Sequence, residues 1–202
     1  MPSSPGPDSR RRLRPFFRAG ISHATALLIV CLLGAPPLRL RAQAAPAEYE
    51  VKAAFLFNFL KFTEWPEESA GGVHAPLTIA VLGRDPFGKT LDQMLADKTV
   101  RGRKVVVRRV SSVDEAIACP IIFVGGGNEH RLAELVKALE GRSVLTVGES
   151  SGFAQQGGVI ALRVEDNKVR FDVNLQAAER ARLTLSSQLL KLAHIVNEAP
   201  RS

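Results

Sequence analysis

Three glycine-bearing turns offer places where backbone can hold a ligand: Gly83-Arg84-Asp85, Gly125-Gly126-Gly127-Asn128 and Gly148-Glu149. Each follows a short apolar run. At the start of a helix, such a turn brings free N–H groups within reach of a small anion. Glycine in a strand-to-helix turn is equally what backbone sterics demand. None of the three fits a dinucleotide or P-loop fingerprint, because GxGxxG and GK[ST] are missing at the required spacing. Gly83, Arg84, Asp85, Gly125, Asn128 and Glu149, with Arg170 and Asn174 further along, are therefore the candidate lining of a ligand pocket. No cofactor signature accompanies them.

Catalytic chemistry finds less support. His74, His130 and His194 stand far apart in the chain, with no nucleophile paired to any of them and no two at metal-ligand spacing. Ser150 and Ser151 lie in GESSG, which lacks the GxSxG elbow of a serine nucleophile. Solvated or capping serines are the plainer account, and no enzyme is expected. Asn174-Leu175-Gln176 has the form of a helix cap. Arg180 and Arg182 are either surface charges or the holders of an acidic ligand or partner.

The elements that must position these residues begin with EYEVKAAFLFNFLKFTEWP, Glu48 to Pro66. Between Val51 and Phe62 only Lys52, Asn58 and Lys61 are polar, and at 100° per residue they point in three directions. A helix without a solvent face is buried on more than one side or waits for a partner. Val51, Phe55, Asn58 and Phe62 share one stripe, whereas Ala53, Leu56 and Leu60 face the other way. Trp65-Pro66 ends the helix, because the residue before proline is pushed out of helical geometry.

After it, strands and helices alternate. Leu77–Leu82, Lys104–Val110, Ile121–Val124 and Ser143–Val147 read as strands, with helices starting at Asp85-Pro86, at Ser111-Ser112 and at Glu129. Val159–Val164 and Val169–Val173 form a hairpin around Glu165-Asp166-Asn167-Lys168, and the chain ends in helices, Gln176–Arg182 and Ser186–Val196. The order predicts a three-layer α/β fold: a mainly parallel β-sheet flanked by helices, with a C-terminal antiparallel hairpin at its edge.

The first 44 residues read as a secretory signal peptide, leaving 45–202 as a single domain. Arg10, Arg11, Arg12, Arg14 and Arg18 precede an apolar run from Ile21 to Leu33, and Ala42-Gln43-Ala44 supplies a small-x-small cleavage site. The leader holds seven arginines and one acid, Asp8. Without it, 27 bases become 20 and 20 acids become 19, so the net charge falls from +7 to +1. A basic nucleic-acid-binding surface is therefore not supported. Cys31 leaves with the leader, so Cys119 is left alone, either packed beside the apolar strand it precedes or bridged to another molecule.

VKAAFLFNFLKFTEWP, LTIAVLGRDPFG, TVRGRKVVVRRV, CPIIFVG, SVLTVGESSGFAQQGGVIALRVEDNKVRFDVNLQAA and LSSQLLKLAHIV, in that order over residues 48 to 196, resemble the YfiR-like periplasmic repressors. The resemblance implies an exported protein that binds the periplasmic domain of an inner-membrane diguanylate cyclase and holds it inactive, limiting cyclic di-GMP and biofilm. It also implies a tendency to form homodimers and an association with small ligands. Paired cysteines found in such proteins are not matched here. The expected contact residues are Phe55, Phe57, Phe59, Phe62 and Trp65 of the opening helix, with Arg180 and Arg182. Two other classes compete: a periplasmic small-ligand receptor acting on a histidine kinase or transporter, and a hydrolase dependent on Ser151 or His130.

Overall fold

A computed structural model describes residues 46–66, 75–127 and 131–199. The chain divides after Ala42 into two units, and every described residue belongs to the second. The signal-peptide reading, His74, Asn128 and His130 lie outside the described residues.

Helix α1 (Pro46–Phe62) turns one side fully inward: Ala53, Leu56, Phe59 and Leu60 are completely buried. Its other stripe, through Val51, Ala54, Phe55, Asn58 and Phe62, is exposed or only half covered. The helix runs straight into β1 (Thr63–Glu64), which pairs antiparallel with β9 (Thr184–Leu185) and fastens the helix end to the C-terminal region.

The main sheet is built from β2 (Leu77–Leu82), β3 (Thr99–Val100), β4 (Arg103–Val110), β5 (Ile121–Val124), β6 (Leu145–Gly148), β7 (Ile160–Glu165), β8 (Lys168–Asn174) and β10 (His194–Val196). Its order is β10-β8-β7-β6-β5-β2-β4-β3. Strands β4, β2, β5, β6 and β7 are parallel neighbours, and β7 and β8 form the antiparallel hairpin. The hairpin turn places Asp166 and Asn167 both at positive φ, the geometry of a tight two-residue connection and one that these residue types tolerate.

Strand alternation sorts the core into two layers. Ile79, Val81, Ile121, Phe123, Leu145, Val147, Ile160 and Leu162 face α1, helix α2 (Lys89–Leu95) and the C-terminal helices α5 (Leu175–Arg180) and α6 (Ser187–Leu190). Ala80, Leu82, Ile122 and Val124 face α3 (Val113–Ala116) and α4 (Leu132–Ala138) on the other side. Three layers result, as the element order predicts.

Two local expectations are corrected. Asp85 does not open a helix: its Oδ1 accepts from the N–H groups of Phe87 and Gly88, closing a turn, and α2 begins only at Lys89. Ser186–Val196 is not one helix. It stops at Leu190, and His194–Val196 becomes a strand parallel to β8, lying outside the hairpin. Helix α4 runs from Leu132 to Ala138, and its expected start at Glu129 lies outside the described residues.

The turn from β6 to β7 wraps Phe153, which is 1% exposed, between two glycines. A Cβ added at Gly148 would lie 2.3 Å from the Phe153 ring, and one at Gly158 would lie 2.1 Å from it. Overpacking of this kind typically costs about 1–3 kcal/mol. Gly148→Ala and Gly158→Ala are each expected to lower the urea-unfolding free energy by that amount. Gly126→Ala, with open space at its Cβ, is expected to change it by less than about 0.5 kcal/mol.

Candidate functional site

Strand β2 is flanked by β4 and β5, which are reached through helices on opposite faces of the sheet. The crevice for a ligand in such a sheet is expected there, at the carboxyl ends of β2 and β5. Backbone fills it. A Cβ on Gly125 would lie 1.9 Å from the Arg84 carbonyl oxygen, and Gly125 N–H donates to Leu82 O at 2.9 Å. Gly125 therefore lets two loops touch. Asp85 Oδ2 accepts from Arg109 Nε at 2.9 Å, and Arg109 also pairs with Asp92 and donates to Gly88 O. Arg84 is exposed beside this network.

Glu149, after β6 on the same edge, has a partner the sequence reading overlooked. Lys52, only 4% exposed, extends its ammonium to Glu149 Oε2 and to Glu48 Oε1, both at 2.6 Å, and lies 4.6 Å from the centre of the Tyr49 ring. Tyr49 packs edge-on against Phe87, and Phe87 against Phe123. The visible signal was Glu48 four residues before a lysine in an otherwise apolar helix. Burial pulls the Lys52 pKa down, but the hydrogen bonds its ammonium donates to Glu149 and Glu48 outweigh it and hold the pKa above the ordinary lysine value. Burial, then the charge of Glu149, raises the Tyr49 phenol. These contacts make a closed ion cluster that fixes α1 on the sheet.

The remaining candidates scatter. Arg170 lies on the hairpin opposite Arg163. Phe59 is fully buried, and with Phe55 and Phe171 it forms a ring cluster at 5.2–5.9 Å, so it belongs to the core and cannot meet a partner. Phe55, Phe57, Phe62 and Trp65 are half-buried around it, and Trp65 Nε1 donates to Pro120 O. Ser150 and Ser151 have no histidine beside them among the described residues. Cys119 is 3% exposed, and burial raises its pKa, so a bridge to another molecule has no accessible thiol to form it. No group of His, Cys, Asp and Glu able to hold a metal occurs among the described residues.

At the opposite edge of the sheet, the structure gathers Asn174, Arg180 and Arg182 around α5. Asn174 is fully buried: its Oδ1 accepts from Ala177 N–H at 2.9 Å and its Nδ2 donates to Ala154 O at 2.8 Å. It caps α5, as the sequence suggests. That helix ends with Arg182 at φ 54°, donating to Glu179 O while Leu183 donates to Ala178 O, a closed C-terminal cap in which glycine is the usual residue. Arg182 Nη2 reaches Gly141 O at 2.9 Å. Between α5, the end of α4 and the amino ends of β6 and β7 lies a cavity of about 300 Å³ with Arg180 in its wall.

The described residues thus form a three-layer α/β domain with a closed ion cluster at one edge of its sheet and an apolar cavity at the other. Residues 49–194 match the YfiR/HmsC-like family (DUF4154), and the chain belongs to it. The family is periplasmic, regulatory and non-catalytic, and no described helix is long and apolar enough to cross a membrane. A conserved domain protein of Vibrio cholerae superposes with a TM-score of 0.51 at 13% identity, covering 74% of this chain and 60% of that one. The ligand-free, open structure of CD0873, a substrate binding protein with adhesive properties from Clostridium difficile, gives 0.45 at 11% identity, covering 60% and 55%. A segment of 74 residues is 36% identical to a formamidopyrimidine-DNA glycosylase of Burkholderia multivorans, covering 37% of this chain and 25% of that protein. The chain thus spans a quarter of that curated relative, too little to carry its activity here.

Two outcomes follow from the buried groups. A lysine whose pKa is raised in the fold contributes fully below the unfolded value, about 10.4, and loses that contribution as the pH climbs through the folded one. Lys52→Met is therefore expected to cost roughly 3 kcal/mol, a broken buried pair, evenly from neutrality to about pH 10. Denaturant titrations of the two proteins should converge only above that. Ellman's reagent at mildly alkaline pH is expected to leave Cys119 untouched in the native protein and to label it fully once the chain is unfolded.

Proposed function

We propose that this protein is exported to the periplasm by its N-terminal leader and represses an inner-membrane diguanylate cyclase by docking on its periplasmic sensor domain. Membership of the YfiR/HmsC-like family over residues 49–194 is the observation that carries this reading. A repressor of this kind works by population shift: it binds the inactive arrangement of the sensor better than the active one. Cyclic di-GMP, and with it biofilm, stays low while the complex persists.

The outward stripe of α1 is the docking surface. Val51 is 44% exposed, Asn58 is exposed, and Ala54, Phe55, Phe62 and Trp65 are half covered, so an apolar strip rimmed by Glu50, Lys61 and Glu64 faces solvent. Such a strip is what a partner helix or sheet face would cover.

The exported protein is expected to co-elute with the purified periplasmic domain of a membrane diguanylate cyclase from the same genome. Val51→Glu and Asn58→Glu should abolish co-elution with the melting temperature unchanged, while Lys104→Glu, on exposed β4, should preserve it. Absence of a complex at micromolar concentration would count against the docking reading.

A further inference from the structure

The cavity at the amino ends of β6 and β7 is walled by aliphatic side chains, Val136, Leu139, Val144, Val159 and Ala177, and carries one cationic group, Arg180. Its volume, about 300 Å³, is at the lower bound of small-molecule sites, and an apolar lining with few polar groups is typical of them. The arginine is already occupied from within the chain: Glu198 Oε2 lies 2.6 Å from Arg180 Nη2, on a carboxylate only 12% exposed. Glu198 belongs to the segment after β10, which Ala199 N–H fastens to Gln155 O at 2.9 Å. Carboxylate, guanidinium and apolar cavity therefore stand in the relation that a bound small acid would have, with Glu198 supplying the acid group beside the apolar wall.

We propose that this cavity is a binding site for a small monocarboxylate with an apolar body, and that Glu198 is an internal competitor for the arginine. The ligand's carboxylate takes the place of the Glu198 carboxylate on Arg180, its hydrocarbon part fills the space between Val144, Val159 and Leu139, and the tail segment is released. A dianion such as a phosphate monoester fits poorly. Arg180 is the last residue of α5, where free carbonyl oxygens gather, and Glu140 adds a further negative charge to the wall. The site does not rest on the docking surface of α1, and either reading can fail without the other.

The test uses the exported protein with isovalerate and phenylacetate as probes and their amides as controls, read by calorimetric titration and thermal shift. Wild type is expected to bind the acids weakly and the amides not at all. Glu198→Gln removes the competitor and is expected to tighten the acids about threefold to tenfold, the fold-change of losing a partly exposed ion pair. Arg180→Gln is expected to lose them. Should Arg180→Gln fail to fold, Arg180→Lys serves: weaker binding that still prefers acid over amide supports the site. Three results overturn it: no binding to Glu198→Gln at millimolar acid, amides bound as well as acids, or acid affinity unchanged by either substitution at Arg180.

Discussion

Burying the inner face of α1 commits the molecule to burying the ammonium of Lys52 with it. An isolated charge in that position is far too costly to persist, so the helix can lie on the sheet only where two carboxylates wait. Glu48 comes from the helix itself, one turn back, and travels with it. Glu149 comes from the end of β6 and does not. The pair between Lys52 and Glu149 therefore does what an apolar contact cannot: it selects one position of α1 along the strands. Hydrophobic burial supplies the driving force through Ala53, Leu56, Phe59 and Leu60, and is nearly indifferent to a small slide. The ion cluster, the Tyr49–Phe87–Phe123 stack and the Trp65 bond to Pro120 O remove that freedom at both ends.

Fixing α1 in this way decides which edge of the sheet stays open. Its amino end, with Lys52 and Tyr49, sits over the carboxyl ends of the parallel strands, where ligands of open α/β sheets are usually found. Arg84 and Gly125 close the switch-point crevice from the loop side. The open space is displaced to the other edge, where the parallel run meets the hairpin. There β7 begins beside Thr146, whose Oγ1 accepts from Val159 N–H, and α5 starts from the buried cap of Asn174. The described residues expected in one pocket thus belong to three places: Gly83, Arg84, Asp85, Gly125 and Glu149 to a closed edge, Arg170 to the hairpin, and Asn174 to the support of an open edge.

Much of this was legible in the sequence, and the reasons differ by residue. The layer order followed from alternation of apolar runs with capped helices, and Ser112 and Asn174 cap their helices because their side-chain oxygens reach the N–H three residues on. The two faces of α1 could be written down, but not which would be buried. Phe59 and Phe55 are chemically alike and both meet Phe171, yet Phe59 is fully buried and Phe55 only half covered, a difference set by what packs over the helix. Asp85-Pro86 imitates a helix start because the same carboxylate geometry closes a turn. His194–Val196 has a helical pattern on paper and becomes a strand because the outer side of β8 was still unpaired, a long-range demand invisible to local periodicity. The role of Gly125 is equally non-local: the Arg84 carbonyl decides it.

The firmness of the fold is unevenly distributed, and that bears on where a regulatory signal can enter. The parallel strands β2, β5 and β6 are enclosed on both faces, and α1 is tied to them by ion pairs and rings. The described residues from Arg182 onward are held more lightly. Strand β10 pairs over three residues with β8 alone, Leu192 and Ile195 expose 71% and 42% of their surface, and Arg182 keeps a left-handed conformation that costs a non-glycine residue roughly 1 kcal/mol. Elements that respond to ligands are drawn from the less stable parts of a structure, since moving them costs least. The tail that carries Glu198 belongs to this lightly held part, joined to β10 and paired with Arg180. On the proposed docking and acid-binding roles, a firmly held α1 and a lightly held C-terminal segment would separate the two tasks: one surface to grip a partner, and one place where a small acid could alter the molecule without dissolving its core.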